Sequence, residues 1–309
     1  MESIQIIGNG QYLPKLKVNN LELEKKFNVE EDYILRRTGI ETRYYTEDED
    51  ICQMAYKSAV MAIENAKINT KEIELIVVAT TSTNTLMPGI SYYVQKELEI
   101  EHCICLDVLA GCAGYINALD IAKMYISAKK VETALIIGVD ILSNCVDNND
   151  VNTKIILSDG AGSTVIKKAL TSKIYYSNIQ SDGKNGEILT YRTNEKIKMD
   201  GKAVYKYAVT ETVKNINQLL SEANLKMEDI KYIVPHQSNI KIMKSIADKL
   251  SIKMEKMYTN IKEVGNTFCA SIPIALTQMY EQNLLNSGDK IILIGYGGGL
   301  NTASILLEI

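Results

Sequence analysis

The chain repeats itself at a separation of 157 residues, the distance from Cys112 to Cys269, and nothing else constrains its fold as strongly. Ala66–Val77 resembles Ala223–Val234. The same separation places Cys112-Ala113 on Cys269-Ala270, Ala118-Leu119 on Ala275-Leu276, and Leu135–Gly138 on Ile292–Gly295. Upstream, Ile51, Ala55, Ala59, Ala62 and Ala66, at helical spacing, fall on Ala208, Thr212, Ile216, Leu219 and Ala223. The register slips and recovers near residues 90–100 and 240–252, as compensating insertions produce. Several matches in order at one separation mark a diverged duplication.

Each half then reads the same way. A helix (51–66 or 206–223) precedes a short buried strand (75–79 or 231–234). A second helix follows (90–98 or 239–250), then a cysteine-bearing helix (112–129 or 270–284) and a very apolar strand (133–139 or 290–296). Alternating helices and apolar strands predict an α/β fold with sheets covered on both faces. We divide the chain into halves at 1–170 and 171–309. Packed together, the halves leave a cleft on their shared axis, where residues of both can meet.

Composition excludes some classes of function. At a net charge of −4 the chain offers no field for nucleic acid. No apolar run reaches membrane-spanning length, and Met1-Glu2-Ser3 opens no signal peptide. Six scattered cysteines suit free thiols in a reducing cytoplasm. His102 beside Cys103 and Cys105 invites a zinc reading, but no second cluster completes a ligand set, so a strand entering the core is expected and no metal.

Cys112 is the candidate nucleophile. It lies in Asp107–Leu119 among small residues, between an apolar strand and a helical pattern. A thiol at the first turn of a helix meets free N–H groups and the positive dipole end, which favour the thiolate. The plainer alternative is an inert core cysteine. The second half supplies companions. His236 sits where a strand ends, a usual place for site residues in α/β proteins. Asn266 lies in the segment equivalent to the one before Cys112 and offers an uncharged donor, with a cap or turn role as its alternative. Cys269 reads as the structural counterpart of Cys112. Gly297-Gly298-Gly299 allows close backbone approach and N–H groups for an oxyanion, or a tight turn between strands. Ser158–Gly162 is expected to be such a turn.

Together these residues resemble the β-ketoacyl-[acyl carrier protein] synthase III group of the thiolase superfamily. The markers are Arg37–Ile40, Val78–Thr81, Asp107–Leu119, Asp159–Gly162, Val234–Asn239, Gly265–Thr267 and Gly297–Gly299. The resemblance implies a thiolase-like α-β-α-β-α layering and a Cys112, His236, Asn266 catalytic set. It implies an oxyanion hole from the backbone of Cys112 with Gly298 and Gly299. Substrate contacts are expected from Arg37, Tyr33, Gly201 and Asn239.

The implied chemistry is an acyl primer loaded on Cys112. It then condenses with a malonyl thioester, carried by acyl carrier protein, to give a 3-oxoacyl thioester. The primer arrives as acyl-CoA or on the carrier. No cofactor beyond these thioesters is implied, and a homodimer is. Where family members that grip coenzyme A by its adenine have Trp and Arg, this chain has Tyr33 and Val151; Phe268 replaces a small residue, and Thr190–Met199 is short.

Lys241, Lys244 and Lys249 follow His236 on one helix and form either a solvated face or a dock for an acidic carrier. Three alternatives to condensation are an acyltransferase passing the Cys112-bound group to oxygen or nitrogen, a papain-like hydrolase, and an inactive partner subunit.

Overall fold

Two sheets organise the chain, whose residues 3–309 are described by a computed structural model. The first half runs β1 (Ile4–Tyr12), β2 (Leu16–Asn19), α1 (Asn20–Phe27), α2 (Tyr33–Thr38), β3 (Thr42–Tyr45), α3 (Ile51–Ala66) and β4 (Leu75–Ala79). It continues with α4 (Ile90–Glu97), β5 (Ile104–Val108), α5 (Gly114–Ser127), β6 (Thr133–Asp140), α6 (Val151–Lys154) and β7 (Gly160–Lys168). The second half runs β8 (Tyr175–Ser181), β9 (Leu189–Thr190), β10 (Lys198–Met199), α7 (Gly201–Ala223) and β11 (Tyr232–Pro235). It ends with α8 (Ile240–Lys249), α9 (Ile261–Val264), α10 (Ser271–Glu281), β12 (Lys290–Gly297) and β13 (Asn301–Glu308).

The first sheet has the order β1-β7-β6-β4-β5 and the second β11-β12-β13-β8. The parallel pairs β4 with β5 and β6, and β11 with β12, are the ones joined through helices. Every residue of β4 is buried, because helices cover both of its faces. The layers follow from the apolar clusters. Helices α3 and α4 cover the outer face of the first sheet, and α7 and α8 that of the second. Between the sheets lie α5 and α10, whose small residues Ala118, Ala122 and Ala275 admit both sheets closely. The duplicates Leu119 and Leu276 are both fully buried there, each worth about 2 kcal/mol of apolar transfer.

Local sequence explains the helix boundaries that position the site. Asp50 and Gln53 form a capping box at the start of α3, and Lys67 in the left-handed region ends it. Helix α7 starts five residues before the expected 206, because Asp200 caps it by accepting from the N–H groups of Lys202 and Ala203. Ser158–Gly162 is not a tight turn. Gly160 opens β7, and Asp159 before it accepts from the N–H groups of Leu142, Ser143 and Thr46. The stretch after His102 is strand β5, as its apolar pattern implies.

Candidate active site

Cys112 sits just ahead of α5 in a single 3-10 turn, Gly111–Ala113, and is 4% exposed. Gly111 enters this turn at φ +55°. A Cβ there would lie 2.5 Å from the carbonyl oxygen of Gly298, so glycine is required on both counts. The end of β12 presses on the cysteine from the other half: a Cβ on Gly297 would lie 2.9 Å from Sγ. The backbone N–H groups of Gly298 and of Cys112 itself point at the sulfur.

The expected preference for thiolate is reversed. Burial, aided by the Asp140 carboxylate, pushes the thiol up to about 12, against the pull of those two N–H groups. Desolvation of a buried charge outweighs the helix-end dipole.

His236 follows the last residue of β11 and is 1% exposed. Its N–H extends the sheet by bonding to Ile294 O (2.8 Å). The ring Nδ1 lies 2.7 Å from Ser271 Oγ, and the ring of Tyr296 approaches edge-on at 5.5 Å between centroids. Burial alone lowers the imidazole from its ordinary 6.5 to about 3, so it is neutral at physiological pH.

Asn266 bridges the halves through its backbone: its N–H bonds to Ile156 O (3.1 Å), and its carbonyl accepts from Ser158 N (2.9 Å). Its Oδ1 accepts from Phe268 N (3.0 Å). That bond fixes which end of the amide is which and leaves the Nδ2 donors for the cavity.

Cys112, His236 and Asn266 line one cavity of 680 Å³. Arg37, Gly201, Lys202, Asn239 and Lys241 belong to the same lining. A second lobe of 260 Å³ adjoins Cys112, with Leu189, Ile197 and Phe268 on its wall beside the hydroxyl-bearing Thr80, Thr81 and Tyr191. Cys112, Leu189, Ile197 and Phe268 border both lobes. A buried thiol thus lies at the junction of a large cavity with a basic rim and a smaller lobe of mixed lining, in a cavity shared with two uncharged donors.

Comparison with known proteins settles the relationship. The family profile for 3-oxoacyl-[acyl-carrier-protein] synthase III matches residues 106–183, and that for its C-terminal part matches 220–309. The beta-ketoacyl-[acyl-carrier-protein] synthase III of Clostridium beijerinckii is 37% identical over 100% of both chains. The chain belongs to the synthase III family. The Clostridium acetobutylicum member is 36% identical over 100% of this chain and 99% of its own. The Aquifex aeolicus synthase III structure superposes with a TM-score of 0.97 at 35% identity, over 99% of this chain and 100% of that one. The priming β-ketosynthase of the R1128 polyketide pathway gives 0.94 at 28% identity, over 99% and 96%. The thiolase-like layering expected from sequence is the fold, and the hydrolase alternative falls away.

Within this synthase III fold the expected site residues divide. Cys112, His236, Asn266, Arg37, Gly201, Asn239 and Lys241 share the main cavity, and Gly298 and Gly299 line the smaller lobe. Tyr33 does not line the main cavity; its hydroxyl accepts from Arg37 Nη1 (2.8 Å), one turn along α2. Val151 packs in an apolar cluster with Ile34 and Ile155. Asn239 caps α8 by accepting from Lys241 N, and its Nδ2 donates to Arg37 O. Lys244 and Lys249 are exposed on α8 but do not line the cavity. The N–H of Gly298, not that of Gly299, reaches the sulfur.

Sequence reasoning missed Ser271, the Tyr296–Ser238 hydroxyl pair (2.8 Å) on the cavity wall, and Asp140. The duplication held one signal for Ser271, because its counterpart is Gly114 and a hydroxyl appears in one half only.

Proposed function

We propose that this synthase III family member loads an acyl primer onto Cys112 and condenses it with a malonyl thioester with loss of CO₂. The observation that carries the reading is the convergence of a buried thiol, a neutral imidazole and an oriented amide on one cavity. In loading, Sγ attacks the thioester carbonyl, the carbon–sulfur bond to the carrier breaks, and the departing thiolate takes up the proton the cysteine loses. The N–H groups of Gly298 and Cys112 stabilise the tetrahedral oxyanion.

The malonyl thioester then loses CO₂, and the electron pair of the broken carbon–carbon bond passes into an enolate. Nδ2 of Asn266 and the neutral ring of His236 donate to its oxygen; a carboxylate at either position would repel it. The enolate carbon attacks the acyl-cysteine, forming the 3-oxoacyl thioester and returning the sulfur. The one carboxylate of the lining, Asp200, is engaged in capping α7, and decarboxylation needs donors rather than proton removal. The same geometry does not favour transfer to an oxygen or nitrogen nucleophile, whose proton would need an acceptor.

The smaller lobe beside Cys112, with Leu189, Ile197 and Phe268 on its wall, suits a short acyl chain, and the cationic rim suits a phosphopantetheine arm on an acidic carrier protein. For the quaternary state, β5 ends the first sheet with a free edge, and Leu86, Met87 and Leu109 are 85%, 90% and 71% exposed. A homodimer covering that edge is the arrangement they support. Among the described residues no helix is long and apolar enough to cross a membrane, and six free thiols suit a reducing cytoplasm.

Intact-protein mass after incubation with a panel of acyl-CoAs and acyl carrier proteins tests the reading. An acyl adduct absent from Cys112→Ala, and CO₂ release on adding malonyl-carrier, are expected. An adduct that survives in Cys112→Ala sinks it.

A further inference from the structure

We infer that Ser271 is a positioning residue that donates its hydroxyl proton to Nδ1 of His236 and so holds the imidazole in the tautomer whose Nε2–H faces the substrate. The inference rests on the condensing reading above and adds a residue to it. Ser271 Oγ lies 2.7 Å from Nδ1, and both residues are buried, at 2% and 1% exposure. A serine or threonine inside a helix can send its proton to the carbonyl four residues back. Ser271 opens its helix, and its hydroxyl bonds to the imidazole rather than to Thr267 O. Thr277, on the same helix, does make such a bond, to Pro273 O (2.8 Å). The imidazole is the side-chain partner that the Ser271 hydroxyl has among the described residues.

The opposite arrangement is costly at both ends. With the proton on Nδ1, the serine hydroxyl would be buried with no acceptor for its own proton, a costly unmade bond. The Nε2 lone pair would then face the developing enolate and repel it. Tyr296 packs edge-on against the ring but does not choose its tautomer, and no charged side chain moves its basicity. In many enzymes a carboxylate fixes the tautomer of a histidine. A hydroxyl does so here without adding negative charge beside the enolate. One short turn, Asn266–Ser271, therefore orients both donors, Asn266 through Phe268 N and His236 through Ser271 Oγ.

The chain has two histidines, so His102→Gln leaves His236 as the only imidazole signal. Nitrogen-15 spectra of histidine-labelled protein should show the Nε2–H tautomer, and Ser271→Ala should lose that preference. Ser271→Ala should slow malonyl decarboxylation about 10- to 100-fold while Cys112 acylation changes less than twofold. Ser271→Thr, which keeps the hydroxyl, should restore much of the rate. An Nδ1–H tautomer in the parent, or unchanged tautomer and decarboxylation in Ser271→Ala, overturns the inference. A parent enzyme that never decarboxylates malonyl thioesters instead sinks the condensing reading, and the spectra still judge Ser271.

Discussion

The carboxylate of Asp140 accepts the backbone N–H of Cys269, with Oδ2 3.0 Å from the nitrogen. Across the duplication Asp140 corresponds to Gly297, and Cys269 to Cys112. The same geometric relation therefore occurs twice, once filled and once empty. In the first case a side chain at the end of β6 occupies the N–H of the second cysteine. In the second, β12 ends in glycine and the N–H of Cys112 stays open towards its own sulfur. The duplicated cysteine is further tied down, since Cys269 Sγ donates to Gly111 O (3.0 Å). Divergence at one strand end thus separates a nucleophile from a structural thiol.

The first prediction concerns that glycine. A methyl group at position 297 would lie 2.9 Å from Cys112 Sγ and 2.8 Å from its Cβ. Neither distance is tolerated, so the thiol or the strand end must shift. Gly297→Ala should slow acyl loading about 100-fold, the usual consequence of displacing a reacting atom by an ångström. The overpacking should cost about 1–3 kcal/mol in denaturant unfolding. Stopped-flow loading with any accepted acyl-CoA checks this, and a wild-type rate contradicts it.

The thiol's protonation gives the second. With the group pushed up to about 12, Cys112 carries little thiolate near neutrality. Below that value the thiolate fraction rises tenfold per pH unit. Alkylation of Cys112 by iodoacetamide, followed by peptide mass spectrometry, should therefore accelerate about tenfold per unit between pH 7 and 9. Asp140→Asn removes a negative charge that favours the neutral thiol and should speed alkylation at fixed pH. A rate independent of pH in this window would mean that the thiolate is already formed at rest.

How much of this was legible in sequence depends on which interactions carry it. The layers were legible, because a duplication and the apolar periodicity of α3, β4, β6 and β12 are local patterns. Cys112, His236 and Asn266 were readable as candidates because each sits at the end of an element in a recognisable motif. Their partners were not. Asp140 meets Cys269 across 129 residues and Ser271 meets His236 across 35, and no local pattern encodes either pairing. The thiol's basicity was misjudged for a related reason. A helix start is visible in sequence, whereas burial by Gly297 and Phe268 from the other half, and by Leu157 from its own, is tertiary. Tyr33, expected as a substrate contact, lies outside the main cavity with its hydroxyl accepting from Arg37 on its own helix.

A third prediction follows from the buried imidazole. His236 is lowered from 6.5 to about 3 on folding, so the unfolded chain binds its proton first. The contribution to stability is full above pH 6.5 and is lost as pH falls from there towards 3. At pH 5 the loss should be about 2 kcal/mol. Urea unfolding at pH 7.5 and pH 5 should show that difference between the parent and His236→Gln, since other titrating groups are common to both. Parallel pH profiles in the two proteins would mean that the imidazole titrates normally in the fold.

The rim of the cavity provides the last prediction. Lys202, at the start of α7, and Lys241, at the start of α8, line the mouth and have no carboxylate partner among the described residues. Lys249 lies at the far end of α8, outside the lining. If an acidic carrier delivers its thioester here, charge at the mouth should govern encounter, and charge at the far end should matter little. Lys202→Glu and Lys241→Glu should each raise KM for malonyl-carrier about tenfold at low salt and less at high salt, because exposed charges are screened within a Debye length. Lys249→Glu should change it less than twofold. With malonyl-pantetheine, which lacks both phosphate and protein, all three variants should match the parent. A large effect confined to Lys249 would move the dock along the helix, away from the mouth.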